Sequence, residues 1–490
     1  MSSPTKPSIP SAKALLELFA VLFSNDWIQQ WQQQRRENER LMLLEDPARN
    51  RKPVPGFYRR IFSLSVTLWY LIYQRLNSDM TLAAVMIDLR AGGADRLGGR
   101  GEGKLSSKIR SPLTSAYNQA RQRMPLELLQ SALTRLGAAL FPEPTGAKSL
   151  ARSKPGVHQR QRQLLDGSTL SILATPELVA DFPPASNQNG ASDWCMMRIL
   201  VGFCARSGVV LSAVTGAVQR GEQALAWEVM EKAKAFVIWI GDRNFGVWSV
   251  TAQAVRYNHD VLVRLSKARA DKLRKGRSMQ PGEDRPIQWQ PSRSDQVPPG
   301  AERLACAGRL IYVRLRREGK WIDLWLFTTL DARDYPLELL VKWYGQRWQA
   351  ELNFRSIKTQ MKMAELDVST PVMAQKEFYA GLLAYSLVRS VMWAAGERLE
   401  IRVEILSFNQ ARSVLRSRLE VWMRGMPARV QNAGKWVESL LDEIALHTLP
   451  KRCKPRPTEL RRVRHKRQKF PPLKGCRTAA RARELTTKSA

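Results

Sequence analysis

The stretch YGQRWQAELNFRSIK carries a phenol, two cations and a carboxylate: Tyr344, Arg347, Glu351 and Lys358, the last three at offsets of 3, 7 and 14 from the first. It holds no Pro or Gly after Gly345 and is rich in Gln, Ala, Leu, Arg and Lys, which predicts a continuous helix. At ~100° per residue the four side chains fall within an arc of about 60°, forming a stripe about 21 Å long. Trp343, Ala350, Phe354, Ile357 and Met361 occupy a neighbouring apolar arc that would fix the helix to a core. A carboxylate flanked along one ridge by a phenol and two cations suits a metal site beside a phosphate backbone. The competing reading is a solvated helix face laced with i,i+4 ion pairs.

Two further acids stand where strands are expected to end. Asp166 follows Leu164-Leu165 and precedes Gly167-Ser168; Asp242 follows FVIWIG and precedes Arg243-Asn244-Phe245. An acid at the end of a buried strand is costly to ionise without a compensating cation. If both face Glu351 across one cleft, three carboxylates repel one another, and Mg²⁺ relieves that repulsion with coordination sites left for water and phosphate. Such a pair of ions activates a water or hydroxyl and stabilises the leaving oxygen of a phosphodiester. Read singly, each Asp could equally be a turn acid.

The elements that must position these residues are legible from periodicity. The first ~145 residues read as helical, with an apolar helix over Leu64 to Leu76 and a second unit, SAYNQARQRMPLELLQSALTRL. GGADRLGGRGEGK between them lacks a preceding strand and the phosphate-loop spacing, so it reads as a flexible linker touching phosphates. From about 155 the pattern becomes strand (RQLLDGSTLSIL), a hairpin turning at Ser207-Gly208, helix, strand (FVIWIGD), helix and strand (DVLVRLS). That order predicts an α/β core. Residues 267–308 interrupt it with KARADKLRKGR and a Pro-rich polar run, and LIYVRLRREGKWIDLWLFTTL returns as a hairpin around Glu318-Gly319. AQKEFYAGLLAYSLVRSVMWAA is a second long apolar helix.

The chain of 490 residues carries 78 Lys and Arg against 44 Asp and Glu, a net charge of +34. That excess points to a polyanion, with DNA preferred to an anionic membrane because no basic amphipathic anchor or lipidation signal is present. Beyond Pro450 the last 40 residues hold 15 Lys and Arg against 2 Glu, a composition expected to stay disordered and act electrostatically. Five scattered cysteines without a C-x-x-C, and four scattered histidines, argue for reduced thiols and against zinc. IFSLSVTLWYLIY is too short and too rich in Ser and Thr to span a bilayer, so a cytoplasmic, nucleoid-associated protein is expected.

Together these residues resemble the DDE cut-and-paste transposases of bacterial insertion sequences, in the branch with a Tyr-(2)-Arg-(3)-Glu-(6)-Lys signature. The resemblance spans about 57–395 and rests on TLWYLIYQRL, SAYNQARQRMP, LLDGSTL, GDRNFG, LFTTLDARDYPLELLVKWYGQRWQAELNFRSIK and AYSLVRSVM. It implies an RNase H-like catalytic core over 155–266 and 335–395, with a β-rich insertion at 267–334 that accounts for the 109 residues separating Asp242 from Glu351. An N-terminal helical DNA-binding region (1–150), a C-terminal helical region (396–450) and the basic tail (451–490) would flank it. Asp166, Asp242 and Glu351 would be catalytic, metal-binding acids for Mg²⁺, or Mn²⁺ in its place. Tyr344, Arg347 and Lys358 would hold transposon-end phosphates, with Arg243 beside them. Trp321 or Trp325, on one face of KWIDLWLF, would accept a flipped base; the alternative makes both core residues, and Trp289 lies apart in the Pro-rich run. Ala174-Thr175-Pro176 stands where relatives often carry Asp-Thr-Pro, and Asn244 where they often carry Gly. Terminal inverted repeats and target DNA are the implied partners, bound by a homodimer. A domesticated, non-cutting DNA-binding protein is the alternative.

Overall fold

The computed structural model describes residues 25–45, 61–98, 103–140, 160–425 and 431–450, apart from 185, 188–189, 192–193, 234–235 and 318–319. The basic tail and the tip of the second hairpin therefore lie outside the described residues.

The sheet is built from period-2 runs, as the alternation requires. β1 (Arg162–Ile172), β2 (Cys195–Cys204) and β3 (Val210–Ala217) form an antiparallel meander. β4 (Ile238–Gly241) then lies parallel to β1, and β5 (Asp260–Arg264) parallel to β4. Three strands from the expected insertion, β6 (Asp284–Trp289), β7 (Cys306–Arg317) and β8 (Lys320–Thr328), do not close a sheet of their own. They extend the first one through an antiparallel β5–β8 ladder, giving the order β3-β2-β1-β4-β5-β8-β7-β6.

Helices cover both faces. One face packs α7 (Glu222–Lys232) and α8 (Trp248–Arg256) around Leu165, Leu200, Leu225, Val229, Trp239 and Phe327. The other face meets α12 (Pro371–Arg398), which begins at the Thr370 cap with Pro371 in its first turn. This is the one described helix long and apolar enough to cross a membrane, but 94% of its apolar window is buried, so it is a core helix. Against it pack the helices that precede and follow the sheet. These are α2 (Leu64–Leu76), α4 (Ser115–Arg123) and α5 (Leu126–Leu140), with α13 (Phe408–Met423) and α14 (Gln431–Leu446) after α12, while α1 (Asn25–Glu45) and α3 (Leu82–Arg90) join the same core from outside. A short helix, α6 (Pro176–Asp181), follows β1 and uses Thr175 as its cap and Pro176 as its first residue. Each fully buried Leu or Phe in these clusters contributes ~1.5–3 kcal/mol relative to exposure.

Several expectations need correcting. KARADKLR is not merely a basic interruption; it forms α9 (Lys267–Arg274), capped by Ser266 and held by Asp271 pairing with Lys267 and Arg274. Trp289 is the last residue of β6, buried with its edge against Phe327, because RPIQW alternates as a strand. The Gly-rich segment is folded where described: Asp95 accepts from the Ser106 N–H at 2.8 Å and Trp69 Nε1 donates to the Gly93 carbonyl.

The helix of the four-residue stripe is not continuous. α10 (Leu337–Gly345) gives way to α11 (Trp348–Arg355), and this helical segment closes in a π turn over Ser356–Gln360. Tight i→i+3 bonds, Arg347 N to Tyr344 O at 2.9 Å and Ala350 N to Arg347 O at 3.0 Å, mark the joint after Gly345. Glycine has low helix propensity, and π turns recur at functional sites. Arc arithmetic for a straight helix therefore fails here. The apolar arc survives: Trp343, Ala350, Phe354, Ile357 and Met361 are all buried.

Candidate active site

β1 outruns β4. Leu165 pairs with Gly241, the last residue of β4, so Asp166 is the first residue of β1 beyond its parallel neighbour, and Asp242 is the first beyond β4. Asp166 is thus inside a strand rather than at its end, as β1 continues to Ile172 along β2. It is the neighbour that stops. Past the opening, a two-residue strand β9 (Glu365–Leu366) takes up pairing with β1 at Ser171 and Ile172. The opening between β4 and β9 is where the chemistry-bearing residues gather.

Side-chain parity decides which face they use. Leu164, Leu170 and Ile172 join the α12-side core, so Asp166 and Ser168 face that side, where Ala350 and Phe354 of α11 also pack. Two contacts tie the segment to β1: Lys358 Nζ donates to Ser168 Oγ at 3.2 Å, and Arg347 lies near enough to Asp166 to influence its proton. Arg347 also donates from Nη2 to Glu351 Oε1, an i,i+4 pair.

The electrostatics follow from burial. Burial pushes the Asp166 carboxyl up to about 7; Arg347 and the Gly167 N–H oppose this, while Asp242 and Glu351 add to it. Burial likewise raises the Tyr344 phenol to about 12, against Arg347 and Arg264 and with Asp242 and Glu351. It stays protonated at neutral pH and can donate from Oη. Burial opposes the charge on Arg347, but Glu351 more than offsets it and holds the guanidinium above its usual range. Lys358 is lowered by burial.

Asp166, Asp242, Glu351, Tyr344 and Arg347 therefore lie within electrostatic reach of one another, with Lys358 next along β1. Among the described residues the acids do not form a ready three-ligand cage, and Glu351 is engaged by Arg347. The donor set nonetheless fits a hard divalent cation: three carboxylates, one of them pushed up by burial and by the other two, a cost that a cation would relieve. Arg243 is exposed, its carbonyl accepting from Arg269 Nη1 at 3.0 Å. Trp325 is buried and stacked on Tyr312 at 4.1 Å, whereas Trp321 is 65% exposed.

Sequence reasoning passed over Ser168 and Arg264. The signal for Arg264 was available, because it ends DVLVR as Asp242 follows FVIWIG. Gly246 of GDRNFG explains how close the two strand ends come: a Cβ there would sit 2.1 Å from the Arg264 carbonyl oxygen.

Residues 158–387 match the family described as Transposase DDE domain. The chain is also 25% identical over 354 residues to the transposase InsG for insertion sequence element IS4 of Escherichia coli (strain K12), covering 70% of this chain and 75% of that protein. The matched segment contains Asp166, Asp242, Glu351 and the strand opening that gathers them. Over its matched segment the chain is similar to transposases of the DDE type, among them one from a bacterial insertion sequence.

Proposed function

We propose that this chain is a transposase that cuts DNA at transposon ends and joins the freed ends to target DNA, a cut-and-paste reaction dependent on Mg²⁺, with Mn²⁺ able to substitute. The observation that carries this is the Leu165–Gly241 register, which releases Asp166 and Asp242 side by side, with Glu351 in electrostatic reach. The order β3-β2-β1-β4-β5, antiparallel then parallel, supports an RNase H-like core at 155–266 and 335–395. Residues 267–334 are its insertion, 1–150 and 396–450 its helical flanks, and 451–490 a basic tail.

Asp166, Asp242 and Glu351 would hold the cation, which when bound supplies charge neutralisation at the scissile phosphate and an activated water. Arg347 exchanges Glu351 for a phosphate oxygen as DNA enters, Lys358 takes a neighbouring phosphate from its seat on Ser168, and Tyr344 donates its protonated hydroxyl. Arg243 adds an exposed cation at the rim. Holding the backbone in line contributes much of the acceleration. Two ends require two active sites, so the working form is a homodimer on DNA in the cytoplasm. The test is cleavage of an end-containing duplex: nicking in Mg²⁺ that stops on chelation supports the reading. DNA binding without nicking under any divalent cation would instead identify a domesticated, non-cutting relative.

Arg347→Ala and Lys358→Ala are expected to weaken cleavage and end-complex formation about 10- to 100-fold each, the equivalent of ~1.5–3 kcal/mol per charged contact. Undiminished cleavage and gel shift in both variants would leave only a solvated helix face. Of the two tryptophans, Trp321 has the exposed ring that stacking needs. Trp321→Ala should nick at the normal rate and lose a later hairpin-forming step, since base stacking is worth ~1–3 kcal/mol. An unchanged hairpin yield removes Trp321 from the reaction. The tail raises affinity for any DNA: truncation after Pro450 should flatten log K against log salt by several units, at about 0.9 per phosphate contact. Loss of end discrimination with an unchanged slope would make the tail a specificity element.

A further inference from the structure

Asp166, within β1, and Asp242, just after β4, lie past the last shared register of the two strands, and no ladder hydrogen bond between β1 and β4 fixes their separation beyond it. A side chain on the opposite face of the sheet spans that gap. Leu165 faces the α7-side core, so Gly167 faces that side too, away from Asp166. Glu222, the first residue of α7, fills the space over Gly167: a Cβ at 167 would lie 2.5 Å from Glu222 Cδ. Glu222 Oε1 accepts from Arg198 Nη1 at 3.1 Å, and Arg198 sits in β2 opposite Thr169 of β1. Glu222 Oε2 accepts from Asn244 Nδ2 at 2.7 Å. Asn244 in turn donates its backbone N–H to Asp242 Oδ1 at 2.8 Å, and its carbonyl accepts from Gln223 Nε2 at 3.0 Å.

The geometry points to Glu222 as the positioning residue that sets the spacing of the Asp166 and Asp242 carboxylates, clamping the Asp242 loop to the back of the β1–β2 pair. It acts from behind the sheet with both oxygens engaged, so it is a brace rather than a further ligand. The proposal rests on the reading that Asp166 and Asp242 hold a cation. A brace of this kind works by shape. Gln at 222 can accept from Arg198 through its oxygen and donate to Asn244 once the exposed Asn244 amide turns over. Ala can do neither.

The test measures Mn²⁺ binding to the full chain by calorimetry, beside melting temperature and end-duplex gel shift, for Glu222→Ala, Glu222→Gln and Asn244→Ala. Removal of a group orienting metal ligands typically weakens metal affinity about 10- to 100-fold, and that loss is expected for both Ala variants. Their melting temperature and duplex binding should stay at the wild-type level, and Glu222→Gln should bind Mn²⁺ within about threefold of wild type. Three results would overturn the brace: wild-type affinity in Glu222→Ala and Asn244→Ala, a Gln variant as weak as Ala, or affinity lost only in step with melting temperature. If Glu222→Ala does not fold, Asn244→Ala on its exposed loop decides alone. Wild-type binding that Asp166→Asn abolishes keeps the metal reading intact whatever the brace variants do. No Mn²⁺ binding by the wild-type chain would overturn that reading and the brace with it.

Discussion

Asp166→Asn, Asp242→Asn and Glu351→Gln are each expected to slow cleavage of end-containing DNA by about a thousandfold or more, with duplex binding within a fewfold of wild type. The size follows from the several kcal/mol that a bound cation contributes to phosphoryl chemistry, each 1.36 kcal/mol being tenfold in rate. All three changes keep side-chain shape and remove a charge, so they test ligand capacity rather than packing. They also differ in an informative way. Asn at 166 removes the carboxyl that burial raises to about 7. Gln at 351 frees Arg347 from its ion pair, so that variant should bind DNA at least as well as wild type while failing to cut it. Single-turnover cleavage alongside gel shifts measures both, and a variant that cuts at the wild-type rate would exclude its residue from the site.

Glu377→Ala is expected to give the largest loss of stability, ~3–5 kcal/mol, the usual result of leaving buried charges without their partner. Glu377 of α12 is 2% exposed and pairs with both Arg75 of α2 and Arg121 of α4, fastening the N-terminal helices to the central one. Next to it Lys376 Nζ donates to the Gln122 carbonyl at 2.7 Å. Burial alone would raise the Glu377 carboxyl, but Arg75 and Arg121 more than offset it and hold it below its usual value. A carboxyl whose folded pKa is depressed stabilises fully above its unfolded value, about 4.3, and loses that contribution as pH falls through the folded one. Wild-type melting temperature should therefore drop steeply below about pH 4, and Glu377→Gln, already destabilised, should show a shallower acid slope. Parallel slopes would show that the pair does not govern acid sensitivity.

The parts of the site that were legible in sequence are those with a local signature. FVIWIG reads as a buried strand because it is uninterrupted and apolar, and Asp242 follows it directly. The arc from Trp343 to Met361 was legible because core packing preserves helical phase on average, even through a tight joint and a wide turn. What escaped was set by partners distant in sequence. Two residues, Glu365 and Leu366, carry no periodicity, yet as β9 they bound the opening beside Asp166. Trp321 and Trp325 share a face by parity, but register decides their fates: Trp325 lies opposite Tyr312 and stacks on it, while Trp321 lies opposite Arg316 and stays exposed. Asn244 stands out in sequence only as a departure from Gly; its use becomes visible once Glu222 is seen behind the sheet.

The most direct test of the central claim is a switch of metal preference. Asp242→Cys replaces a hard oxygen donor with a softer thiolate, which favours Mn²⁺ over Mg²⁺ relative to carboxylate. Single-turnover cleavage of an end-containing duplex should then be lost in Mg²⁺ and recover at least in part in Mn²⁺, while Asp242→Ala stays inactive in both. Equal loss of the Cys and Ala variants in both metals would leave metal ligation by Asp242 unsupported. Cleavage by Asp242→Ala at the wild-type rate would contradict the account outright.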